Sequence, residues 1–132
     1  MKTRRETFDK SERLCSTKII SGLFENGNIF HTSLFKVVWC KSPVVLPYPA
    51  QIALSVSKRG FRLAVTRNLV KRRMRETYRK NKYLLYEFLS AENKQIVLIV
   101  IIRGNKVPDF MTIEKSIIEM LNRLIGQIRE KN

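Results

Sequence analysis

The segment from residue 51 to residue 88, QIALSVSKRGFRLAVTRNLVKRRMRETYRKNKYLLYEF, changes its hydrophobic period once along its length. Residues 51–57 alternate between apolar and small or polar side chains, which predicts a strand with one apolar face. Beyond Gly60 the apolar residues recur at helical spacing, which predicts a long helix from Leu63 to Phe88. A strand that leads into a long helix is typical of an α/β fold.

The segments on either side of this unit predict a small sheet with helices packed on it. The predicted order is helix, strand, strand, long helix, strand, helix, with bounds near 16–26, 29–40, 51–57, 63–88, 95–102 and 113–128. Residues 42–49 hold three prolines and predict a connector outside the sheet. Gly126 weakens the last helix.

The first thirteen residues are polar and have no sustained period, so we expect residues 1–13 to form a flexible basic arm. Within that arm Lys2, Arg4 and Arg5 are placed to reach a phosphate, although a solvated tail explains them equally well. The remaining length suits one domain, predicted to span residues 14–132.

Charge is the strongest functional signal in the composition. Lysine and arginine number 26 against 11 acids, which gives a net charge of +15. Residues 58–82 carry eleven basic residues, mostly arginines, with Glu76 as their only acid. A solvated helix face normally mixes the two signs, so this one-sided cluster predicts a polyanionic partner. Because the guanidinium fork grips phosphate and stacks on bases, nucleic acid is favoured over lipid headgroups.

Several function classes lack a signal in the sequence. The longest strongly apolar run, residues 96–102, is far shorter than the roughly 20 residues of a membrane helix, so we expect no membrane partner. No secretory signal is evident, and a cytoplasmic location is the default expectation. Cys15 and Cys40 lack metal-ligand spacing and are interpreted as spectator thiols. His31 has no serine, cysteine or carboxylate at a recognisable catalytic spacing.

A motif spans the strand and the start of the long helix. Residues 55–59 read SVSKR and residues 64–76 read AVTRNLVKRRMRE. This sequence resembles the signature of the bacterial ribonuclease P protein component, in which a strand ending in S-K-K leads into A-V-x-R-N-x-x-K-R-x-x-R. The resemblance extends more loosely over most of the chain, including Phe24 to Gly27 and residues 97–100.

The resemblance implies a fold and a function. It implies an α/β (α+β) two-layer sandwich with a small mixed sheet and three helices, shared with a domain of a small-subunit ribosomal protein. The long helix would make a left-handed crossover between parallel strands. The protein would be the accessory subunit of a ribonucleoprotein that removes the 5′ leader of precursor tRNA. Hydrolysis would be carried out by magnesium ions on the catalytic RNA. The residues themselves show no catalytic side chain and no metal-ligand spacing, which leaves open whether the protein binds a metal itself, and no small-molecule substrate is expected.

The resemblance also implies two binding surfaces. Contact with the catalytic RNA subunit transfers to Lys58, Arg59, Arg67, Asn68, Lys71, Arg72 and Arg75. A third basic residue commonly follows the Arg-Asn pair in this family; here Leu69 stands at that position, and Arg73 or Arg62 is the candidate substitute. The leader of precursor tRNA would lie in a cleft lined by Phe24, Phe35, Ser55, Ser57 and Lys58.

Three alternatives stay open from the residues alone. A ribosomal or general RNA-binding protein would have the same charge distribution. A stand-alone nuclease would require a carboxylate or histidine cluster, and none is evident. A helix-turn-helix DNA-binding protein would require a partner helix before the basic helix, where the sequence instead predicts a strand.

Overall fold

The computed structural model describes residues 7–131, and the predicted phosphate contacts Lys2, Arg4 and Arg5 lie outside the described residues. The α-helices are α1 Thr17–Asn26, α2 Ala64–Asn81, α3 Tyr83–Ala91 and α4 Phe110–Glu130. The strands are β1 Asn28–His31, β2 Phe35–Lys41, β3 Ala50–Val56 and β4 Ile96–Ile102, and a short 3₁₀ turn spans Lys10–Glu12. No helix within residues 7–131 is long and apolar enough to cross a bilayer.

The sheet is mixed, with the strand order β1-β2-β4-β3. β1 pairs antiparallel with β2, and β2 pairs antiparallel with β4. β3 and β4 are parallel neighbours, so the chain from β3 through α2 and α3 to β4 is a crossover connection. The predicted α/β sandwich with a small mixed sheet is therefore confirmed, while the left-handed sense of the crossover stays a prediction.

Helices α2, α3 and α4 cover one face of the sheet. This helix face includes Phe35, Val37 and Trp39 of β2 and the alternate residues of β4, which pack against the apolar sides of the three helices. The Trp39 indole N–H donates to Gln127 Oε1 at 3.0 Å and ties β2 to α4. This layer holds most of the buried apolar surface of the described chain.

Helix α1 packs on the opposite face, which we call the α1 face. Leu23 is buried there against Val38, Val97 and Ile99. A Cβ on Gly27 would overlap the Val38 side chain and the Leu23 carbonyl, so the end of α1 approaches β2 as closely as its backbone allows. Because α1 is only ten residues long, part of the α1 face is left open.

Two element predictions differ from the structure. The predicted strand 29–40 is two strands, because residues 32–34 turn and the Thr32 hydroxyl accepts a hydrogen bond from the Phe35 amide at 3.1 Å. The predicted helix 63–88 divides at Lys82 into α2 and α3, so the described residues contain four α-helices instead of three. Helix α4 runs through Gly126 without a break and is capped by Asp109, whose carboxylate accepts from the Thr112 amide at 2.8 Å.

Residues 8–13 of the predicted flexible arm are folded against the domain. Residues 8–14, which we call the N-terminal strap, pack against the domain along β3 and α2. Leu14 donates to the Ile52 carbonyl at 2.9 Å, and Phe8 packs edge-on against Tyr78 with ring centroids 5.7 Å apart. Glu12 is fully buried. The boundary predicted at residue 13 is therefore wrong for the strap, which is part of the folded domain.

Candidate nucleic-acid interface

Helix α2 buries one side and exposes cations on another. Val70, Met74, Thr77 and Tyr78 are buried against the domain. The helical period places Asn68, Lys71, Arg72 and Arg75 on a neighbouring side, which we call the basic arc. Lys71 and Arg72 are exposed and Arg75 is half-buried. The guanidinium and ammonium groups of the basic arc make no hydrogen bond or ion pair with another described residue, so they are available to a ligand.

Arg67 has a different role from the other predicted contacts. Its guanidinium donates to the carbonyls of Phe61 and Arg62, each at 2.8 Å. These bonds fix the loop between β3 and α2 against the first turn of the helix. Arg67 thus positions the loop.

The loop of residues 57–63 presents further cations. Ser57 organises it, because the Ser57 carbonyl accepts from the Phe61 amide at 3.0 Å and the Ser57 hydroxyl accepts from the Arg59 amide at 3.1 Å. Phe61 is buried and anchors the loop, whereas Lys58 and Arg59 are exposed. Arg62 is also exposed, on the chain segment that enters α2.

The turn after β4 lies directly beside this loop. A Cβ on Gly60 would overlap the Gly104 carbonyl oxygen, so the two backbones are in contact. Arg103 and Lys106 are exposed on that turn, and Arg103 donates to the Thr32 carbonyl at 3.2 Å. Sequence reasoning missed both cations because they follow a strand-ending turn; the parallel pairing of β3 and β4 brings them to the loop.

Two cations of the predicted cluster face the protein. Arg73 is half-buried, lies on the α4 side of α2 and donates to the Pro108 carbonyl at 2.8 Å. It is therefore separated from the basic arc and is a poor substitute for the cation missing at Leu69. Lys82 is only 1% exposed and pairs with Glu12, so its inclusion in the RNA-binding stretch is wrong. Charge density along a sequence does not distinguish buried cations from exposed ones.

Arg79 has an acidic partner on its own helix. Its guanidinium bonds both carboxylate oxygens of Glu76, at 2.6 and 3.1 Å. The hydrogen bond from Arg79 lowers the pKa of the Glu76 carboxyl. This pair ends the basic arc, because it neutralises the cation one turn beyond Arg75.

The predicted leader cleft would lie on the part of the α1 face that α1 leaves open. The strand register places Lys36, Ile101 and Ser55 side by side across β2, β4 and β3. All three are half-buried. Phe24 on α1 is 54% exposed, an unusually large free area for an aromatic ring. An aromatic ring, a cation and a hydroxyl are the groups that single-stranded nucleic acid uses for stacking and backbone contact.

The predicted leader-contact residues are brought together in part. Ser55 lies on the α1 face, with Ser57 and Lys58 just beyond the end of β3. Phe35 is fully buried on the helix face, in contact with the core under α4, so its predicted position in the cleft is wrong. Its neighbour Lys36 occupies the α1 face, because successive side chains of a strand point to opposite faces.

The remaining chemically active side chains lie apart from one another. His31 is exposed at the end of β1, Cys15 is exposed and Cys40 is half-buried, where burial raises the pKa of its thiol. Within residues 7–131 no three histidine, cysteine or acidic side chains are grouped as metal ligands.

Comparison with known proteins identifies the family. The family model described as Ribonuclease P matches residues 8–125. A ribonuclease P protein component from Porphyromonas gingivalis is 34% identical over 119 residues, covering 90% of this chain and 87% of that protein. One from Petrotoga mobilis is 30% identical over 122 residues, covering 90% and 96%.

Solved structures show the same fold. The ribonuclease P protein of Thermotoga maritima superposes with a TM-score of 0.68 at 24% identity, covering 85% of this chain and 96% of that one. The Staphylococcus aureus protein superposes with a TM-score of 0.64 at 22% identity, covering 87% and 95%. With the family model matching nearly the whole domain, this chain belongs to the ribonuclease P protein component family, the protein subunits of the endoribonuclease that processes the 5′ leader of tRNA.

Proposed function

We propose that the chain binds the catalytic RNA of ribonuclease P through the basic arc and the loop of residues 57–63. The observation that carries this is the segregation of charge: Lys71, Arg72 and Arg75 share one side of α2 and have no acidic partner among the described residues. Uncompensated cations on a folded surface repel one another, and an RNA backbone relieves that repulsion. The contacts are assigned to Lys58, Arg59, Arg62 and the basic arc, with Arg67 as a positioning residue.

We further propose that the cleft on the α1 face holds the 5′ leader of precursor tRNA. Phe24 offers a stacking surface, while Ser55, Ser57 and Lys58 offer hydroxyl and ammonium groups to the leader backbone. Lys36 is added to this set and Phe35 is removed from it. The cleft and the basic arc both border β3, so one RNA duplex and one single strand can be bound together.

The chemistry is assigned to the RNA partner. Magnesium ions held by the catalytic RNA would activate the attacking water and stabilise the leaving oxygen, and the protein would position the substrate. Cations close to the RNA also reduce phosphate repulsion, which lowers the magnesium concentration that the folded complex requires. The assembly is proposed to act in the cytoplasm.

The test is reconstitution with a bacterial ribonuclease P RNA. At low magnesium the protein should increase the rate of precursor tRNA cleavage at the mature 5′ end, and high magnesium should reduce the difference. A tRNA that lacks the 5′ leader serves as the control, and its affinity for the complex shows how much the leader contributes to binding. Binding to many RNAs with no effect on this cleavage would instead identify a general RNA-binding protein, and cleavage by the protein alone would identify a nuclease.

A further inference from the structure

The N-terminal strap brings a cation to the basic arc from a distant part of the sequence. Arg13 forms a parallel bridge with Ile52, and Leu14 hydrogen-bonds the Ile52 carbonyl at 2.9 Å. The strap therefore follows the outer edge of β3, the edge that β4 does not cover. Its position places Arg13 beside α2 although more than fifty residues separate them in sequence.

A buried ion pair anchors the strap. Glu12 accepts hydrogen bonds from Lys82 Nζ, from the Tyr86 hydroxyl at 2.7 Å and from the Asp9 amide at 2.7 Å. Lys82 Nζ also donates to the Thr7 carbonyl. Taking two charges out of water is costly, and such pairs are best explained where they specify one geometry. Here the geometry specified is the path of the strap.

The anchored strap completes a concave notch at the edge of β3. Three cations surround the notch, from two elements: Arg13 of the strap and Lys71 and Arg75 of α2. The rest of the lining is apolar side chains or backbone and contains no acid: Phe8, Leu14, Cys15, Ile52, Ala53 and Leu54. The Arg13 guanidinium lies 5.3 Å from the Phe8 ring centroid, which orients it. None of the three cations forms a hydrogen bond or an ion pair with another described side chain.

We infer that Arg13 is a further RNA-contacting residue and that the notch binds one phosphodiester of RNA, with Glu12 and Lys82 as positioning residues. Two guanidinium groups and one ammonium group around a single cavity suit the two free oxygens of a phosphodiester. The apolar floor suits the adjacent ribose or base. This inference rests on the proposed function, because it assigns one more contact of the same RNA-binding surface.

The primary test removes one charge and leaves a shorter, neutral polar side chain. Arg13→Gln removes the guanidinium that lies over Phe8. Lys41→Gln removes one exposed charge at the far end of β2 and is the matched control. Losing one phosphate contact makes the slope of log K against log salt shallower by about 1. The affinity advantage of the wild type over Arg13→Gln should therefore shrink about fourfold between 50 and 200 mM salt. Arg13→Lys should largely retain the wild-type slope.

Two arms identify the source of the phosphodiester. Binding to the catalytic RNA alone is measured first, and binding of precursor tRNA with and without a leader to the reconstituted holoenzyme is measured second. A shallower slope for Arg13→Gln in the first arm assigns the phosphate to the catalytic RNA. If Arg13→Gln makes the salt slope of holoenzyme binding shallower only for the substrate with a leader, the phosphate belongs to the substrate. Slopes that match wild type and Lys41→Gln in both arms overturn the inference.

The positioning role has its own test. Lys82→Met should reproduce the slope change of Arg13→Gln, and the double variant should show little further change, because both act on the same contact. Additive losses would show that Lys82 does not act through Arg13. If Lys82→Met does not fold, Tyr86→Phe weakens the same anchor by removing one donor to Glu12. Failure of the wild-type protein to stimulate cleavage would contradict the proposed function. The salt slopes of wild type and Arg13→Gln would still show whether Arg13 contacts a phosphate of RNA.

Discussion

Lys82 and Glu12 form an ion pair that is almost fully removed from solvent, with side chains 1% and 0% exposed. The pair joins the 3₁₀ turn of Lys10–Glu12 to the junction of α2 and α3. Because each charge is buried, each depends on the other for its solvation. The pair is therefore a point at which a single substitution has a large effect on stability.

We expect Lys82→Met to destabilise the fold by about 3–5 kcal/mol, because it leaves the Glu12 carboxylate buried without its cation. Thermal unfolding monitored by circular dichroism should show a melting temperature lower by more than about 10 °C. Lys10→Met, an exposed lysine on the same strap, is the control and should change little. A double variant with Glu12→Gln should recover part of the loss. A melting temperature of Lys82→Met within a few degrees of wild type would contradict this.

The burial of Tyr78 predicts how the stability of the fold changes with pH above about 10. Its hydroxyl is fully buried without a hydrogen-bond partner among residues 7–131, and burial raises the pKa of the phenol well above its ordinary value near 10. A raised pKa means that the folded state keeps its proton where the unfolded state loses it. The corresponding stability is complete below about pH 10 and declines as the pH rises further.

We therefore expect Tyr78→Phe to show a shallower loss of stability above pH 10 than wild type. At pH 7 its stability should be unchanged or higher by up to about 1 kcal/mol, since an unpaired buried hydroxyl is removed while the edge-on contact with Phe8 is kept. Urea unfolding at several pH values from 7 to 11 measures both effects. If the free energy of unfolding has the same pH dependence in wild type and Tyr78→Phe over that range, the raised pKa of Tyr78 is contradicted. Tyr86, whose pKa burial also raises, should leave some alkaline dependence in the variant.

The sequence predicted β3 and the basic arc well because each has an unambiguous period. Alternation placed Ile52 and Leu54 on the helix face and Ser55 on the α1 face, as the structure confirms. Helical spacing placed Lys71 and Arg75 on one side of α2. In both cases a local pattern decides the orientation of the side chains.

The errors arose where orientation depends on a distant partner. Strand β2 is buried on both faces, so Phe35 and Val38 are equally apolar and only pairing with β4 decides which one faces α1. Lys82 is buried because Glu12, seventy residues away, supplies a carboxylate. Arg73 is held away from the basic arc by its hydrogen bond to the Pro108 carbonyl, two residues before α4. None of these contacts leaves a periodic signal.

Gly60 should be intolerant of substitution. A Cβ there would overlap the Gly104 carbonyl oxygen, which is backbone and cannot rotate away. We expect Gly60→Ala to separate the two loops, lower RNA affinity severalfold and destabilise the fold by about 1–3 kcal/mol. Gly126→Ala is the control: open space surrounds that position in α4, and the change should stabilise by about 0.5–1 kcal/mol. Equal effects of the two substitutions would contradict the close contact of the loops.

Substitutions of Phe24 and Phe35 should have different effects, the first on binding of precursor tRNA and the second on the stability of the fold. Phe35→Ala empties a fully buried position and should cost about 3–5 kcal/mol. Phe24→Ala removes an exposed ring and should leave the melting temperature nearly unchanged, while weakening holoenzyme binding of precursor tRNA by about 1–3 kcal/mol. Loss should be confined to substrates with a leader. Equal weakening for a leaderless substrate would place Phe24 outside the leader cleft.

Arg72 and Arg73 are sequence neighbours, but Arg72 faces solvent and Arg73 faces the protein. Comparing them is the sharpest test of the basic arc. Arg72 is exposed beside Lys71 and Arg75, whereas Arg73 is half-buried and donates to the Pro108 carbonyl. Arg72→Gln should make the salt slope of binding to the catalytic RNA shallower by about 1 with no change in melting temperature. Arg73→Gln should keep that slope and lower stability by about 1 kcal/mol, because the Pro108 carbonyl loses its charged donor. The two variants have the same net charge, so a general loss of electrostatic attraction would affect them equally. Identical slopes would therefore refute the orientation of α2 described above, and different slopes would assign RNA binding to one side of the helix.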